Sequence, residues 1–260
     1  MAGADTLGSV GPDGEASQPQ GLAVVIPARD EADRVGATVR SALGIPGVTA
    51  VVVVDDGSSD ATAGEAAEAG ARVIRHRRNR GKAAAMETGA AEAARLDLTT
   101  GRPRRPALMF LDADLEASAA NAAALAEPVL SGTADMTIAV LPPQRTTGGG
   151  HGLVVNLARR GVTEATGWTP AQPLSGMRCL TREAFEAARP LARGWGVEVG
   201  LTIDLLTTGH RVVEVPCDLQ HRVTGRDWSS QLHRARQYRD VALALAVRRA
   251  RRVLARRRSA

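Results

Sequence analysis

The first half of the chain alternates short, continuous apolar runs with segments of helical periodicity. The apolar runs lie at residues 22–27, 50–55, 72–75 and 107–112, and the segments between them predict helices at 30–43, 61–69 and 82–96. Strands that are apolar on both faces are typical of a parallel sheet covered by helices on both sides. Strand–helix alternation predicts a doubly wound sheet with right-handed crossovers. The sequence therefore predicts an α/β fold of Rossmann-like type with a mostly parallel sheet.

Local patterns refine the predicted helices of this half. Val35, Val39 and Leu43 share one face of the first helix, and we expect that face to be buried. Ser59 or Asp60 is expected to cap the second helix with its side-chain oxygen.

The second half is less regular. It has helical patterns at 121–130, 153–165, 198–208 and 228–258, and strand patterns at 135–141, 178–180 and 211–216. Residues 21–227 contain no repeat and no clear linker, so we predict one domain there. Residues 1–20 are rich in Gly, Pro and polar residues and are expected to be a disordered lead-in. Residues 228–260 are expected to form a basic C-terminal helix and tail.

The positive charge is concentrated at the C-terminal end. Residues 248–260 hold seven Arg and no acid, so removing them from a formal net charge of +5 leaves −2 for the rest. This balance, with only two Phe, one Tyr and three Trp, argues against a nucleic-acid groove in the body. Cys179 and Cys217 lack metal-binding spacing and indicate free thiols of a reducing compartment. No apolar run approaches the roughly 20 residues of a spanning helix, which favours a cytoplasmic protein, either soluble or peripheral.

Two carboxylates one residue apart, Asp112 and Asp114, follow the fourth apolar run. Residues i and i+2 of a strand share a face, so both side chains can point to one place beyond its carboxyl end. Open parallel sheets bind their ligands there. Hard oxygen ligands suit a divalent cation that also holds phosphate groups. The alternative is an Asp-rich turn or helix cap without a ligand.

A second charged segment, residues 79–82, opens the predicted third helix. Gly81 permits close approach of the backbone, a helix N-terminus favours anions, and Lys82 adds a positive charge. We therefore predict that Lys82 contacts a diphosphate. For Arg75, Arg77 and Arg78 we favour the alternative, a solvated charged loop.

Four ordered segments resemble the motifs of family 2 glycosyltransferases of the GT-A fold, which use nucleotide-diphosphate sugars. They are IPARDE at 26–31, VDDGSSD at 54–60, NRGK at 79–82 and DAD at 112–114. The resemblance covers residues 21–225 and implies Mg²⁺ or Mn²⁺ as cofactor, held by Asp112 and Asp114. The donor-binding residues that it implies are Pro27, Arg29, Glu31, Asp56, Ser58, Lys82, Asp112, Ala113 and Gly176.

The second half resembles the glucosyl-3-phosphoglycerate synthases, which are retaining enzymes. The matching segments are PLSG at 173–176, WGVEVGLTID at 195–204, where Trp195 replaces the usual Tyr, and HR at 221–222. The resemblance implies UDP-glucose as donor and a small phosphorylated or hydroxylated acceptor. It implies catalytic roles for Glu198, Leu174, Ser175 and Asp112, a metal ligand in His221, and acceptor contacts from Gly149, Arg178 and Arg222. The alternatives are a helix-capping carboxylate for Glu198 and a lone surface histidine for His221.

The acceptor and the partners stay open. Glu214-Val215-Pro216 also resembles a segment of the polyprenyl-phosphate sugar transferases, which would mean a lipid-linked acceptor and an inverting reaction at the membrane surface. The helix at 228–258 is expected to pack an apolar face on the body and to solvate its Arg face. A basic amphipathic helix can also lie on anionic lipid. The sequence also leaves open a homodimer. The four ordered motifs argue against a protein that binds nucleic acid through its basic tail.

Overall fold

The computed structural model describes residues 19–100, 105–142, 151–220 and 228–258. Within them, seven strands form one sheet in the order β3-β2-β1-β4-β6-β5-β7. The strands are β1 (Leu22–Ala28), β2 (Val48–Asp55), β3 (Arg72–Arg75), β4 (Ala107–Phe110), β5 (Met136–Val140), β6 (Arg178–Leu180) and β7 (Val212–Pro216). β6 runs antiparallel to both of its neighbours, and the other pairs are parallel. The predicted α/β fold with a mostly parallel sheet is confirmed.

Eight α-helices lie within the described ranges. They are α1 (Ala32–Leu43), α2 (Thr62–Glu68), α3 (Lys82–Thr100), α4 (Glu127–Leu130), α5 (His151–Thr166), α6 (Arg182–Ala187), α7 (Val197–Thr207) and α8 (Trp228–Arg258). Two 3-10 segments, Glu116–Leu125 and Gly194–Gly196, precede α4 and α7. The long helix predicted at 228–258 is confirmed with those bounds.

The apolar core has one layer on each side of the sheet. Alternate residues of β1 point to opposite faces, so Val24 contributes to one layer and Val25 to the other. The first layer is covered by α1, which buries Val35 and Val39, and the second is covered by α3 and α7. The continuous apolar strands of the sequence are thus explained by burial on both faces.

Three details of the predicted elements are wrong. α1 begins at Ala32 because Asp30 has a φ of 54°, which is not helical. Leu43, the last residue of α1, is 42% exposed, whereas Val35 and Val39 on the same predicted face are fully buried. The helix predicted at 121–130 is a 3-10 segment followed by α4, which starts afresh with Pro128 in its first turn because proline lacks the N–H of a helix interior.

The fourth strand also ends earlier than predicted, at Phe110 rather than at Asp112. The last hydrogen bond to β1 is donated by the Leu111 amide to the Val25 carbonyl, and Asp112 turns to a lysine instead. Asp112 and Asp114 therefore lie in the turn after the strand, where the alternation of side chains along a strand no longer decides which way they face.

Candidate active site

The carboxyl ends of β1, β2 and β4 lie along one edge of the sheet. In the strand register Ala28 pairs with Asp55, and Val25 pairs with Phe110. β6 runs in the opposite direction, with Arg178 opposite Phe110, so the loop that precedes β6 reaches the same edge. Segments that are far apart in the sequence therefore meet where an open α/β sheet binds its ligand.

A lysine joins these segments. Lys82 Nζ lies 2.9 Å from Asp112 Oδ1 and 3.1 Å from Glu198 Oε1. The Glu198 side chain is only 5% exposed, whereas those of Lys82 and Asp112 are partly open. Gly176 completes the cluster, and we call Lys82, Asp112, Gly176 and Glu198 the strand-end site.

Gly176 lies so close to the charged pair that a side chain at this position would displace the Lys82 ammonium. A Cβ on Gly176 would stand 2.3 Å from Lys82 Nζ and 3.1 Å from Asp112 Oδ1. The backbone of the loop before β6 therefore contacts the Lys82–Asp112 ion pair directly. This packing places the 173–176 segment beside the residues that follow β4.

The Lys82 ammonium is stabilised by its two carboxylates. Burial by itself would lower the pKa of Lys82, but Asp112 and Glu198 outweigh it and raise the pKa above the ordinary value. A raised pKa means that the stabilisation is fully present below the unfolded-state pKa of 10.5 and is lost only as the pH rises through the folded-state value. Lys82 is therefore a fixed positive charge at neutral pH.

Two carboxylates are available for a divalent cation. Asp112 and Asp114 are both half-buried in the turn after β4, and Asp112 keeps part of its carboxylate surface open beside Lys82. The described residues contain no group of three or more His, Cys, Asp or Glu that could hold a metal ion by itself. Two carboxylates together with water and phosphate oxygens nevertheless suit Mg²⁺ or Mn²⁺, which commonly keeps such ligands. The donor set fits the implied cation.

Asp56 holds the loop that starts α3. Its Oδ1 accepts hydrogen bonds from the Arg80 amide at 2.8 Å and from His76 Nδ1 at 2.7 Å, and its Oδ2 accepts one from the Gly81 amide at 2.7 Å. Both carboxylate oxygens of this buried residue are thus engaged by the protein. In this structure Asp56 positions Lys82 at the first turn of α3, in addition to any contact with a nucleoside.

The loops after β1 and β2 are tied to each other. The Asp30 amide donates to Ser58 Oγ at 3.0 Å, and the Glu31 amide donates to Thr62 Oγ1 at 2.9 Å. Asp60 Oδ1 accepts from the Thr62 amide, but the N-cap residue of α2 is Ala61 and no side chain caps the helix, so the expected cap by Ser59 or Asp60 is wrong. Arg29 is exposed at the rim of the same loops. The segments matching IPARDE and VDDGSSD therefore form one connected surface.

Arg178 lies behind the 173–176 loop and not on an open surface. It is 1% exposed, and it donates from Nε to the Ser175 carbonyl at 2.9 Å and from Nη1 to Thr202 Oγ1 at 2.8 Å. Thr202 in turn donates to the Glu198 carbonyl. Burial lowers the pKa of Arg178 to about 10, although Glu198 and Glu214 act in the opposite direction. The direct acceptor contact expected for Arg178 does not fit this position, because the guanidinium joins the loop to α7 from behind.

A family model described as "Glycosyl transferase family 2" matches residues 23–166, which is more than half of the chain. The chain belongs to glycosyl transferase family 2. The matched range runs from β1 to α5 and includes Lys82 and Asp112. A sequence comparison of this glycosyltransferase with curated proteins finds no match.

Solved structures of glucosyl-3-phosphoglycerate synthase from Mycobacterium tuberculosis resemble the glycosyltransferase over most of both chains. The complex with Mn²⁺, UDP and phosphoglyceric acid has a TM-score of 0.70 and 25% identity over 90% of this chain and 79% of the other. The complex with Mn²⁺, UDP-glucose and phosphoglyceric acid has a TM-score of 0.66 and 27% identity over 90% and 80%. The complex with Mn²⁺, UDP-glucose and glycerol 3-phosphate has a TM-score of 0.66 and 26% identity over 90% and 81%. The predicted GT-A fold and the resemblance to these synthases are confirmed.

Some of the remaining predicted site residues of the glycosyltransferase lie within the described residues, and others lie outside them. Ala113 and Ser175 are buried, and the Ala113 carbonyl accepts from Thr38 Oγ1 at 2.8 Å, whereas Leu174 is half-buried. Pro27 is half-buried at the end of β1. Gly149, His221 and Arg222 lie outside the described residues, so their predicted roles stay predictions.

Two supporting residues were missed by the sequence reasoning. His76 is buried between Asp56 and Thr88, although it lies in a segment of charged residues that suggested a solvated loop. Glu214 accepts from the amides of Ala171 and Gln172, both at 2.9 Å, and so anchors the loop that leads to Gly176. The only sequence signal for Glu214 was the Glu-Val-Pro segment, which had suggested a different acceptor.

Replacing Arg178 with Met is expected to lower the free energy of unfolding by about 3 kcal/mol, because the buried Ser175 carbonyl loses its charged donor. Urea titration measures this as a lower midpoint at unchanged slope. The control is Arg189→Met, since Arg189 is exposed and its ion pair with Glu186 lies on the surface. A raised KM for the acceptor at unchanged stability would instead support the acceptor contact expected from sequence.

Proposed function

We propose that this glycosyltransferase transfers glucose from UDP-glucose to a small phosphorylated acceptor with the help of Mg²⁺ or Mn²⁺. The observation that carries the proposal is the strand-end site, where Lys82 contacts both Asp112 and Glu198 against the backbone of Gly176. The solved relatives support the donor and the acceptor class, because they are complexes with UDP-glucose and either phosphoglyceric acid or glycerol 3-phosphate.

Each residue of the site has a proposed role in donor binding. Asp112 and Asp114 would hold the cation, which would neutralise the negative charge that develops on the departing diphosphate. The Lys82 ammonium has three N–H donors, two of which face Asp112 and Glu198, so one can reach a diphosphate oxygen. Glu31, Asp56 and Ser58 belong to the loops after β1 and β2, which would bind the nucleoside. A surface pocket of about 350 Å³ beside them includes Ser58 and His76.

The proposed reaction retains the configuration of the sugar. The acceptor hydroxyl oxygen forms the new bond to the anomeric carbon on the face from which the diphosphate oxygen departs, and its proton passes to the leaving phosphate. The Glu198 carboxylate, 3.1 Å from Lys82 Nζ, would lie beside the sugar and would stabilise the positive charge that develops on the ring. Leu174 and Ser175 would shape the sugar pocket from the loop before β6.

A lipid-linked acceptor with an inverting reaction is the second candidate. Its support in the sequence was Glu214-Val215-Pro216, but the Glu214 carboxylate is occupied by the Ala171 and Gln172 amides. Because the segment has this role in anchoring the loop, it does not by itself favour a lipid acceptor. The phosphorylated small acceptor is therefore the better supported proposal, and a homodimer stays a prediction.

The experiment is a thermal-shift screen of UDP-glucose, GDP-glucose and dTDP-glucose with and without Mn²⁺. A ligand at a hundred times its Kd should raise the melting temperature by about 5 °C, because only the native state binds it. We expect this shift for UDP-glucose with Mn²⁺, and its loss in Asp114→Ala.

The control for this screen is Glu68→Ala, which removes an exposed carboxylate at the far end of α2. The control should keep the full shift. No shift with any of the three nucleotide sugars, from protein that unfolds cooperatively, would overturn the proposal.

A further inference from the structure

The C-terminal half of α8 exposes a row of apolar side chains. Leu243 and Leu254 are 60% and 58% exposed, and Val247 and Val253 lie open beside them. Spacings of four, three and four residues from Leu243 through Val247 and Ala250 to Leu254 place these positions on one side of a helix. We call Leu243, Val247, Val253 and Leu254 the outer stripe.

The outer stripe is held in a fixed orientation because the opposite side of α8 is packed on the body. Val241 is fully buried, and the buried Arg248 donates from Nε to Asp204 Oδ1 at 2.9 Å. A Cβ on Gly196 would stand 2.6 Å from the Ala244 Cβ, so the two backbones approach closely. The expected Arg face is therefore only partly solvated, since Arg248 lies inside.

Positive charge flanks the outer stripe on both sides. Arg249 and Arg251 are exposed, and residues 241–260 contain no acid. The facing acid on the neighbouring helix is Glu164 of α5, which lies 2.8 Å from Arg249. A groove of about 600 Å³ between α5 and α8 adjoins the stripe, and Arg160 and Arg252 are among its lining residues.

The combination of exposed apolar side chains and flanking arginines favours one kind of partner for the outer stripe over the others. A second copy of the chain paired along α8 would bring the flanking arginines together, and like charges repel. Nucleic acid would match the charge but offers no apolar layer to the leucines. An anionic lipid surface satisfies both, because acyl chains receive the apolar side chains while the headgroups face the arginines.

We propose that the outer stripe of α8 and its flanking arginines dock the protein onto an anionic lipid surface. The helix lies along that surface, and no helix in the described ranges is long and apolar enough to cross a membrane. This docking does not depend on which acceptor the enzyme uses. A position at the membrane surface is therefore compatible with a water-soluble acceptor.

The test is co-sedimentation of the full chain with vesicles of phosphatidylglycerol and phosphatidylcholine, compared with vesicles of phosphatidylcholine alone. We expect binding to the anionic vesicles only, weakened at high salt. Leu243→Ser combined with Leu254→Ser should weaken binding by about tenfold. Arg251→Glu should weaken it by at least about fivefold.

The matched control is Arg40→Glu, which makes the same change of charge at an exposed position of α1, on the opposite face of the sheet. All variants alter exposed side chains, so their melting temperatures should equal that of the wild type. Equal binding to neutral vesicles, or full binding by the double serine variant, would overturn the proposal. A wild-type dimer that the double serine variant dissociates in gel filtration would also overturn it, since a second copy would then cover the stripe.

Discussion

Asp112→Asn is expected to lower kcat/KM for sugar transfer by about a thousandfold, because one uncharged amide replaces both a proposed metal ligand and the partner of Lys82. The Asp112 carboxylate lies 2.9 Å from Lys82 Nζ and beside Gly176, at the centre of the strand-end site. Steady-state kinetics at varied donor and fixed Mn²⁺ measures kcat/KM, and a Mn²⁺ titration at saturating donor measures the metal dependence. The concentration of Mn²⁺ for half-maximal rate should rise as well.

Asp135→Asn is the control for this prediction. Asp135 is also paired with a cation, Arg211 at 3.0 Å, but it precedes β5 at the opposite edge of the sheet. We expect this variant to keep its rate within about a factor of two, because an exposed ion pair contributes little to stability. A loss of less than tenfold in Asp112→Asn, at unchanged Mn²⁺ dependence, would remove Asp112 from the proposed metal site.

Glu198→Gln is expected to lower kcat by about a hundredfold with a much smaller change in the KM for the donor. The buried carboxylate is 3.1 Å from Lys82 Nζ, and it is proposed to stabilise charge that appears only in the transition state. The glutamine keeps the size of the side chain, so the loss reports on the charge. The rate is measured at saturating donor and acceptor.

The same variant should change the pH dependence in a defined direction. Glu198 raises the pKa of Lys82, so its neutralisation lets that pKa fall. Lys82 then loses its proton at a lower pH, and the alkaline limb of the rate profile moves to lower pH in Glu198→Gln. Glu186→Gln, at an exposed glutamate of α6, serves as the control and should leave both the rate and the profile unchanged. An unchanged alkaline limb would show that Lys82 does not titrate in the reaction.

Much of the fold can be predicted from the sequence because its helices and strands depend on local patterns. The strands are predicted by their continuous apolar runs, and the helix at 228–258 is predicted by its helical periodicity. Both patterns are formed by residues that are close together in the sequence. The start of α1 depends on the φ of Asp30, and the break before α4 depends on Pro128. Helical periodicity carries no information about such backbone details. The proline was visible in the sequence, and its position within a predicted helix was the missed signal.

The sequence by itself determined the chemical groups of the site and their order, since four motifs carry Asp112 and Lys82 in the positions of a known family. Only the tertiary structure decided which groups touch. The antiparallel direction of β6 brings Gly176 to the same edge as Asp112, and α7 brings Glu198 to Lys82. The tertiary structure also shows that Arg178, expected from the sequence to contact the acceptor, is buried and joins the loop before β6 to α7 by hydrogen bonds. The physical reason is that strand direction and burial depend on contacts between residues far apart in the chain, which no local spacing records.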